Sequence, residues 1–384
     1  MILLYFTVLF LITFIFFIRI LLSIKYFKNI KTDKKILNKK KYTIVQPILS
    51  GDPRLKEDLE TNLKNIKEMT FIWLIDKSDR EAQKISKEIL KNKNFYERVK
   101  IIEIDEVPQE INPKIFKLNF ALEHIKTEYT IILDDDVQID SSYLSELTNY
   151  EDKDALITGI PYNYGNENIY SKLLAAFVNS NSFLTYFTMA ELKENKSING
   201  MFYILKTEIL RKYEVFENIK FLLCDDLALA SYLLNKNIKI IQTKIFCNVR
   251  TTIPNFKKYI LQIKRWLLFS KIYMKKNFSL KFFIFILFPT LLPIFALFTS
   301  IFLGKIYIIL ALFIFFLKAT INYFYRYYIL KIKEEISSIF YEFLNDLILP
   351  LIFIYTLLTP AVIIWRNKKI KIIDEGIHYE HKQI

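Results

Sequence analysis

Residues 1–18 carry no charged side chain, and the apolar run continues to residue 24 with Arg19 as its only charge. A run of this length can cross a ~30 Å hydrocarbon layer, and it is apolar on every face, unlike a surface-lying amphipathic helix. It lacks the basic start and small-residue cleavage site of a secretory signal, so residues 1–24 are expected to be an uncleaved transmembrane anchor. Lys25, Lys28, Lys31, Lys34, Lys35, Lys39, Lys40 and Lys41 follow it. Basic residues beside a span stay cytoplasmic, which puts the N-terminus outside and the chain after residue 25 inside. Three more apolar runs lie at 282–303 (with Pro289 and Pro293), 306–325 (with Lys318) and 347–365 (with Pro350 and Pro360). Three full crossings would carry Arg366, Lys368, Lys369 and Lys371 outside, against the positive-inside rule. One of the two proline-bearing segments is therefore expected to be re-entrant or interfacial, without the sequence saying which.

Between anchor and C-terminal runs lie roughly 240 residues of mixed polarity, enough for one large core. Cys224 and Cys247 suit a reducing cytoplasm and provide no disulfide framework. With three histidines they leave no zinc cluster. The formal charge of +14 is partly juxtamembrane lysine, which suits anionic lipid headgroups. No nucleic-acid motif accompanies it, so nucleic acid is not an expected partner.

Strand-like and helix-like segments alternate through this region. YTIVQPI (42–48), FIWLI (71–75), VKIIEI (99–104) and YTIIL (129–133) read as buried strands. Helical spacing after Asp52-Pro53, a polar helix from Arg80 and a helix opened by Pro113 separate them. This order predicts an open, mostly parallel α/β sheet, whose ligands sit at the carboxyl ends of strands. Asp76, Asp79 and Asp134 to Asp136 fall there. Residues 170–188, apolar but dotted with Ser and Asn, read as a helix at the membrane surface or under an acceptor pocket.

Four constellations bear on chemistry. Asp134 and Asp136, one residue apart at a strand end, can share a Mg2+ or Mn2+ ion, which prefers hard oxygen ligands; the same pattern also makes a turn and cap before Ser141-Ser142. Asp225-Asp226 precede a helix expected over 227–234, either as acids in a first turn or with Asp226 as a general base. Gln262, Arg265 and Trp266 share a helix leading towards the membrane, suited to phosphate and aromatic contacts or to an interfacial belt. Asn112-Pro113-Lys114 with Leu118-Asn119 is either simply a good helix start or one that sets Lys114 near a nucleotide.

Their order along the chain resembles the membrane-bound GT-A glycosyltransferases and, within them, glycosyltransferase family 21, the ceramide glucosyltransferase family. The stretch from Gln46 to Pro53 is similar to that family's opening motif, and Asn112-Pro113-Lys114 with Leu118 to its NPK element. Asp134 to Val137 is similar to its second aspartate motif, Gly200 to Lys206 to its glycine-led acceptor-side strand, and Asp225-Asp226-Leu227 to its third aspartate motif. Gln262 to Trp266 match the (Q/R)xxRW signature, and Trp365 to Lys369 resemble the basic tail. The first aspartate has no sharp motif here; Asp79 is chosen and Asp76 is its rival. The family's animal members carry a histidine before the glycine-led strand, and residues 183–199 have none.

The resemblance implies a cytoplasmic GT-A domain over 42–254, an interfacial QxxRW helix over 255–280, transmembrane helices over 281–366 and a short tail over 367–384. It implies UDP-glucose as donor, inversion, and a lipid hydroxyl as acceptor, with ceramide, diacylglycerol and hopanoid-type lipids as candidates. Asp79 and Lys114 would face the nucleotide, and Asp134 and Asp136 a divalent cation on the diphosphate. Asp226 would be the base, and Gln262, Arg265 and Trp266 would steady diphosphate and acceptor. A processive polysaccharide synthase of the cellulose or hyaluronan type uses the same residues but needs more membrane helices. An aspartyl phosphatase or a non-catalytic nucleotide-binding relative are the other readings.

Overall fold

The computed structural model describes residues 1–30, 36–108, 110–164, 168–365, 368–373 and 376–380. Lys31, Lys34 and Lys35 of the basic stretch, and Arg366 and Asn367 of the tail motif, lie outside the described residues. The chain divides into two compact units: one of residues 30–161, 196–249 and 362–384, the other of 1–29, 162–195 and 250–361.

The main sheet of the first unit has eight strands among the described residues: β1 Tyr42–Ile48, β2 Thr70–Asp76, β3 Val99–Ile104, β4 Tyr129–Leu133, β5 Val137–Ile139, β6 Ala155–Asn163, β7 Phe202–Lys206 and β8 Lys239–Val249. Their order in the sheet is β3-β2-β1-β4-β7-β6-β8-β5. The block β3-β2-β1-β4 is parallel, as the strand–helix alternation requires, and β1 and β4 are buried almost throughout. Beyond β4 the sheet turns mixed: β7 pairs antiparallel with β4 and with β6, and β5 pairs antiparallel with β8. One apolar layer contains Trp73, Leu59 and Leu63, the other Leu118, Phe216 and Leu229. Trp73 is buried, and its indole N–H donates to Gln46 Oε1 at 3.0 Å.

Helix starts follow their capping residues. Asp79 caps Arg80–Ile89 by accepting from the Ala82 N–H, and Asn112 caps Pro113–Ala121 by accepting from the Lys114 and Ile115 N–H groups, with proline at the first helical position. The helix expected at Asp52-Pro53 starts instead at Leu55, because the Asp52 carboxylate accepts from the Arg54 N–H in a turn before it. The helix expected over 227–234 runs Asp225–Asn235, so both aspartates lie inside its first turn.

The second unit is helical. Among the described residues, four helices, Ile2–Asn29, Leu280–Leu303, Lys305–Ile329 and Ser338–Leu358, are long and apolar enough to cross a membrane. The first and third run parallel: the Tyr5 hydroxyl donates to the Tyr307 carbonyl at 2.6 Å, and Ser23 and Tyr325 share a hydrogen bond of 2.5 Å. The fourth starts earlier than the apolar run at 347–365 indicated, because its acids are paired. Asp346 lies 2.6 Å from Lys318, and Glu342 lies 3.0 Å from Arg326. Charges inside apolar helices are tolerated when they face partners within a bundle. That helix ends at Leu358, before Pro360, and the chain re-enters the first unit at residue 362 with the strand Val362–Trp365. The tail expected over 367–384 contributes two more strands, Lys368–Ile373 and Gly376–Glu380, to a three-stranded antiparallel sheet. The Ser/Asn-dotted segment is one helix, Ile169–Glu191, packed on Ile2–Asn29 with Arg19 donating to Thr185 Oγ1 at 3.3 Å.

Candidate active site

The carboxyl ends of β1, β2 and β4 lie side by side because those strands are parallel neighbours. The loop after β1 is fixed by two acids from the other strands. The Leu49 N–H donates to Asp135 at 2.7 Å and the Ser50 N–H to Asp79 at 2.8 Å. Asp79 thus accepts from two backbone N–H groups. These, with nearby Lys117, outweigh its partial burial and hold its carboxyl below the usual range. Its rival Asp76 pairs with Lys117 at 2.7 Å.

Because β7 runs antiparallel to β4, with Leu133 opposite Phe202, the residues before β7 arrive where β4 ends. The Asp134 N–H donates to the Met201 carbonyl at 2.9 Å. Lys114 closes the arrangement. Its ammonium lies 2.6 Å from Asp134 and 3.4 Å from Asp225, and donates to the Gly200 carbonyl at 3.0 Å. Burial alone would favour a neutral amine, but Asp134 and Asp225 outweigh it, and Lys114 is held charged well above the usual lysine range.

The Asp225-Asp226 turn is tied to the Lys114 helix through Asn112. Its side-chain amide donates to the Leu222 carbonyl at 3.2 Å and its N–H to the Lys220 carbonyl at 2.7 Å. Asp226 Oδ1 accepts from the Cys224 thiol at 2.9 Å and from the Leu227 N–H at 2.7 Å. Burial and the neighbouring Asp225 charge nonetheless raise the Asp226 carboxyl above the usual range, and burial beside Asp226 keeps the Cys224 thiol protonated. Gly200 packs on this acid: a Cβ there would lie 2.9 Å from Asp226 Cβ, too close for any side chain.

Asp136 is raised well above the carboxylate range by burial and then by Asp135 and Asp134. The crowded oxygens of Asp134 and Asp136 fit a hard divalent cation, which would relieve that repulsion. Among the described residues no group of three or more His, Cys, Asp or Glu forms a metal cage. Two carboxylates are enough for a cation that takes its remaining ligands from phosphate and water, the usual arrangement for Mg2+.

Lys114, Asp134, Asp225 and Asp226 are therefore brought together, with Asp135 and Asp79 holding the adjoining loop. Gln262, Arg265 and Trp266 belong to the helical unit, on Phe256–Asn277, where the Trp266 ring stacks on Phe177 at 5.7 Å and Lys264 donates to Thr359 at 2.8 Å. Sequence reasoning passed over Cys224, whose position two residues before Asp226 is the signal for its thiol reaching that carboxylate. It also passed over Asn112's tether, for which the sequence carries only the capping signal.

Among solved structures, the chain is similar to the mannosyltransferase PcManGT from Pyrobaculum calidifontis in complex with GDP-Man and Mn2+. The identity is 14%, covering 90% of this chain and 99% of that one, with a TM-score of 0.48. It is also similar to S. aureus TarS 1–349 in complex with UDP-GlcNAc, at 15% identity over 88% and 98% of the two chains, with a TM-score of 0.39. No curated protein matches its sequence. The family model "Glycosyl transferase family 21" matches residues 6–378, which take in the strand-end acids, the QxxRW helix, most of Ile2–Asn29 and the three later apolar helices: the chain belongs to glycosyltransferase family 21.

Proposed function

We propose that this glycosyltransferase moves a single hexose, glucose from UDP-glucose, onto the primary hydroxyl of a membrane lipid such as ceramide, with inversion, and that its sheet unit is cytoplasmic. The observation that carries the reading is the Lys114 bridge, which joins Asp134 to Asp225 beside Asp226 at the carboxyl end of the sheet. Acids more than ninety residues apart in sequence (134 and 226) have little reason to be gathered at a strand end unless a charged ligand is handled there.

In the proposed step, Asp226 takes the proton of the acceptor hydroxyl as its oxygen attacks the anomeric carbon. The bond from that carbon to the diphosphate oxygen breaks, and UDP leaves with the electron pair. The raised Asp226 carboxyl suits it as a proton acceptor. Asp134 and Asp136 would hold Mg2+ or Mn2+, which would offset negative charge on the departing diphosphate. Asp79 is assigned to the uridine or ribose and Lys114 to the nucleotide side of the site. Gln262, Arg265 and Trp266 are assigned to diphosphate and acceptor on the strength of the signature. Such a transfer relies on positioning and charge stabilisation. A catalytic unit on the same chain as apolar helices suits an acceptor that never leaves the bilayer.

The test is to supply membranes containing the protein with labelled UDP-sugars and, separately, ceramide, diacylglycerol, hopanoid and sterol, with and without Mn2+. A one-sugar lipid that disappears in Asp134→Ala is expected. A long polymer would instead support a processive synthase, and released inorganic phosphate from a phosphomonoester would support a phosphatase.

A further inference from the structure

Ser338–Leu358 is long enough to cross a bilayer, but its polar contacts hold both of its ends at one level of the helical unit. Ile2–Asn29 and Lys305–Ile329 define that level. They run parallel with Ser23 beside Tyr325, and Arg19 and Lys318, shortly before those residues, end their unbroken apolar stretches. Ile169–Glu191 lies along the same level. Towards its end, Thr188 donates to the Arg19 carbonyl at 3.2 Å, and the Phe183 carbonyl accepts from Ser23 at 3.3 Å. Towards its start, Lys172 pairs with Glu335 at 3.1 Å, in the turn that follows Lys305–Ile329. Phe256–Asn277 runs beside its first half, with Tyr170 near Phe256 at 6.3 Å and Phe177 on Trp266 at 5.7 Å.

Ser338–Leu358 is tied to this layer from end to end. Near its start, Glu342 accepts from Asn322 at 2.6 Å and from Arg326 at 3.0 Å. One turn on, Asp346 pairs with Lys318 at 2.6 Å, and Asn345 accepts from the Tyr259 hydroxyl and donates to the Leu173 carbonyl at 2.8 Å. Its 21 residues rise ~31 Å, the thickness of the hydrocarbon core. A crossing would therefore carry its far end to the opposite surface. Instead Thr359, just past that end, accepts from Lys264 of Phe256–Asn277 at 2.8 Å. Chain connection requires the same. The chain leaves Ile2–Asn29 for the first unit at residue 30 and comes back to that unit at residue 362, and one compact unit lies on one side of a bilayer.

The side chains fit a helix lying in the membrane plane. Phe340, Leu351, Ile354 and Leu358 are exposed and recur at helical spacing on one face, while Glu342 and Asn345 are buried on the opposite face. An in-plane helix sinks such an apolar stripe ~5–10 Å into the boundary between headgroups and acyl chains.

We propose that Ser338–Leu358 does not cross the bilayer but docks on one phospholipid leaflet, with the stripe of Phe340, Leu351, Ile354 and Leu358 among its acyl chains. The described residues then cross three times, and Lys368, Lys369 and Lys371 fall on the side of Lys25 and Lys28, as the positive-inside rule asks. Nothing in this depends on the transfer reaction, and the test omits nucleotide.

In the full chain with Cys224→Ser and Cys247→Ala, single cysteines replace Lys28, Lys305 or Pro360. A membrane-impermeant maleimide is applied to sealed vesicles prepared right side out and inside out. Lys28→Cys and Pro360→Cys should react in the same preparation and Lys305→Cys in the other. Separately, Phe340→Cys, Leu351→Cys and Leu358→Cys carry a bimane in phosphatidylcholine vesicles whose lipids are spin-labelled high or low on the acyl chain. The shallow label should quench all three more strongly than the deep one, with shallow-to-deep ratios within about twofold of one another, as a common depth demands. A crossing helix would set Leu351 about 16 Å deeper than Phe340. Reaction of Pro360→Cys in the preparation that labels Lys305→Cys, or strongest quenching of Leu351→Cys by the deep label, would overturn the proposal. Pro360 lies outside the helix, so its labelling decides the matter even if a bimane in the stripe prevents folding.

Discussion

Replacing Lys114 by Met tests the electrostatic core of the site. The change keeps the stem and removes the ammonium that lies 2.6 Å from Asp134 and 3.4 Å from Asp225. At an effective dielectric of about 20 these separations correspond to attractions of about 6 and about 5 kcal/mol. Desolvation of the ammonium and carboxylates offsets most of that. Removing one member of a buried pair still costs about 3–5 kcal/mol, because the remaining charges lose their partner. The Lys114 side chain is 19% exposed and Asp134 28%, which lowers the expected loss to about 2–3 kcal/mol. At ~2–4 °C per kcal/mol for a unit of this size, the purified variant should melt about 5–10 °C lower in detergent, followed by intrinsic fluorescence.

The pH dependence has a definite sign. A carboxyl whose pKa is raised on folding binds its proton more tightly in the folded chain, so stability is lost as pH rises through the carboxylate range. Asp136 already behaves this way. Without Lys114, the charges of Asp134 and Asp225 lose their partner. The deficit of Lys114→Met should therefore be largest near pH 8 and shrink as pH falls towards the carboxylate range. Equal melting of variant and parent at every pH would refute the view that Lys114 compensates these acids.

Other outcomes follow from single contacts. Gly200→Ala should lower turnover at least tenfold with little change in melting, because its methyl would displace Asp226 rather than disturb the sheet; steady-state rates beside a thermal melt check this. Cys224→Ala removes a donor that lowers the Asp226 pKa, so the acid limb of the pH–rate profile should move to higher pH, while Cys224→Ser should leave it nearly in place. Trp73→Phe leaves Gln46 Oε1 without its indole donor and should cost about 1–3 kcal/mol in denaturant unfolding. Asp58 is buried and held up at about 6 despite the hydrogen bond from Gln138. Its ionisation therefore opposes folding at neutral pH, and Asp58→Asn should raise the melting temperature at pH 7, with the gain fading as pH falls from about 6 towards 4.

The parallel half of the sheet was legible because local rules act alone there. YTIVQPI, VKIIEI and YTIIL are strands with the bounds read from their apolar runs, and Asn112-Pro113 starts its helix as cap and first position require. The antiparallel half was not legible. Nothing local to Gly200–Lys206 says that it pairs with β4, yet that pairing delivers the Gly200 carbonyl to Lys114 and packs the glycine on Asp226. The Lys114–Asp225 contact likewise joins segments more than a hundred residues apart. The apolar run at 347–365 differs from the helix Ser338–Leu358 at both ends: the helix includes Glu342 and Asp346, whose partners Arg326 and Lys318 come from another helix and are not visible in the local pattern. At the other end the apolar residues after Pro360 extended the run without being helical. The motifs marked which acids matter, and tertiary pairing determined what each one touches.

The most direct measurement is a single-turnover comparison of the parent with Asp226→Asn, using labelled UDP-glucose and ceramide-containing vesicles, with UDP binding measured on the same samples. The parent should yield a lipid bearing one glucose of inverted anomeric configuration. Asp226→Asn should bind UDP as tightly yet form product at least a thousandfold more slowly, the upper part of the ~10²–10⁴-fold range for a lost general base. Transfer at the parental rate by Asp226→Asn, or a product with retained configuration, would contradict the proposed transfer.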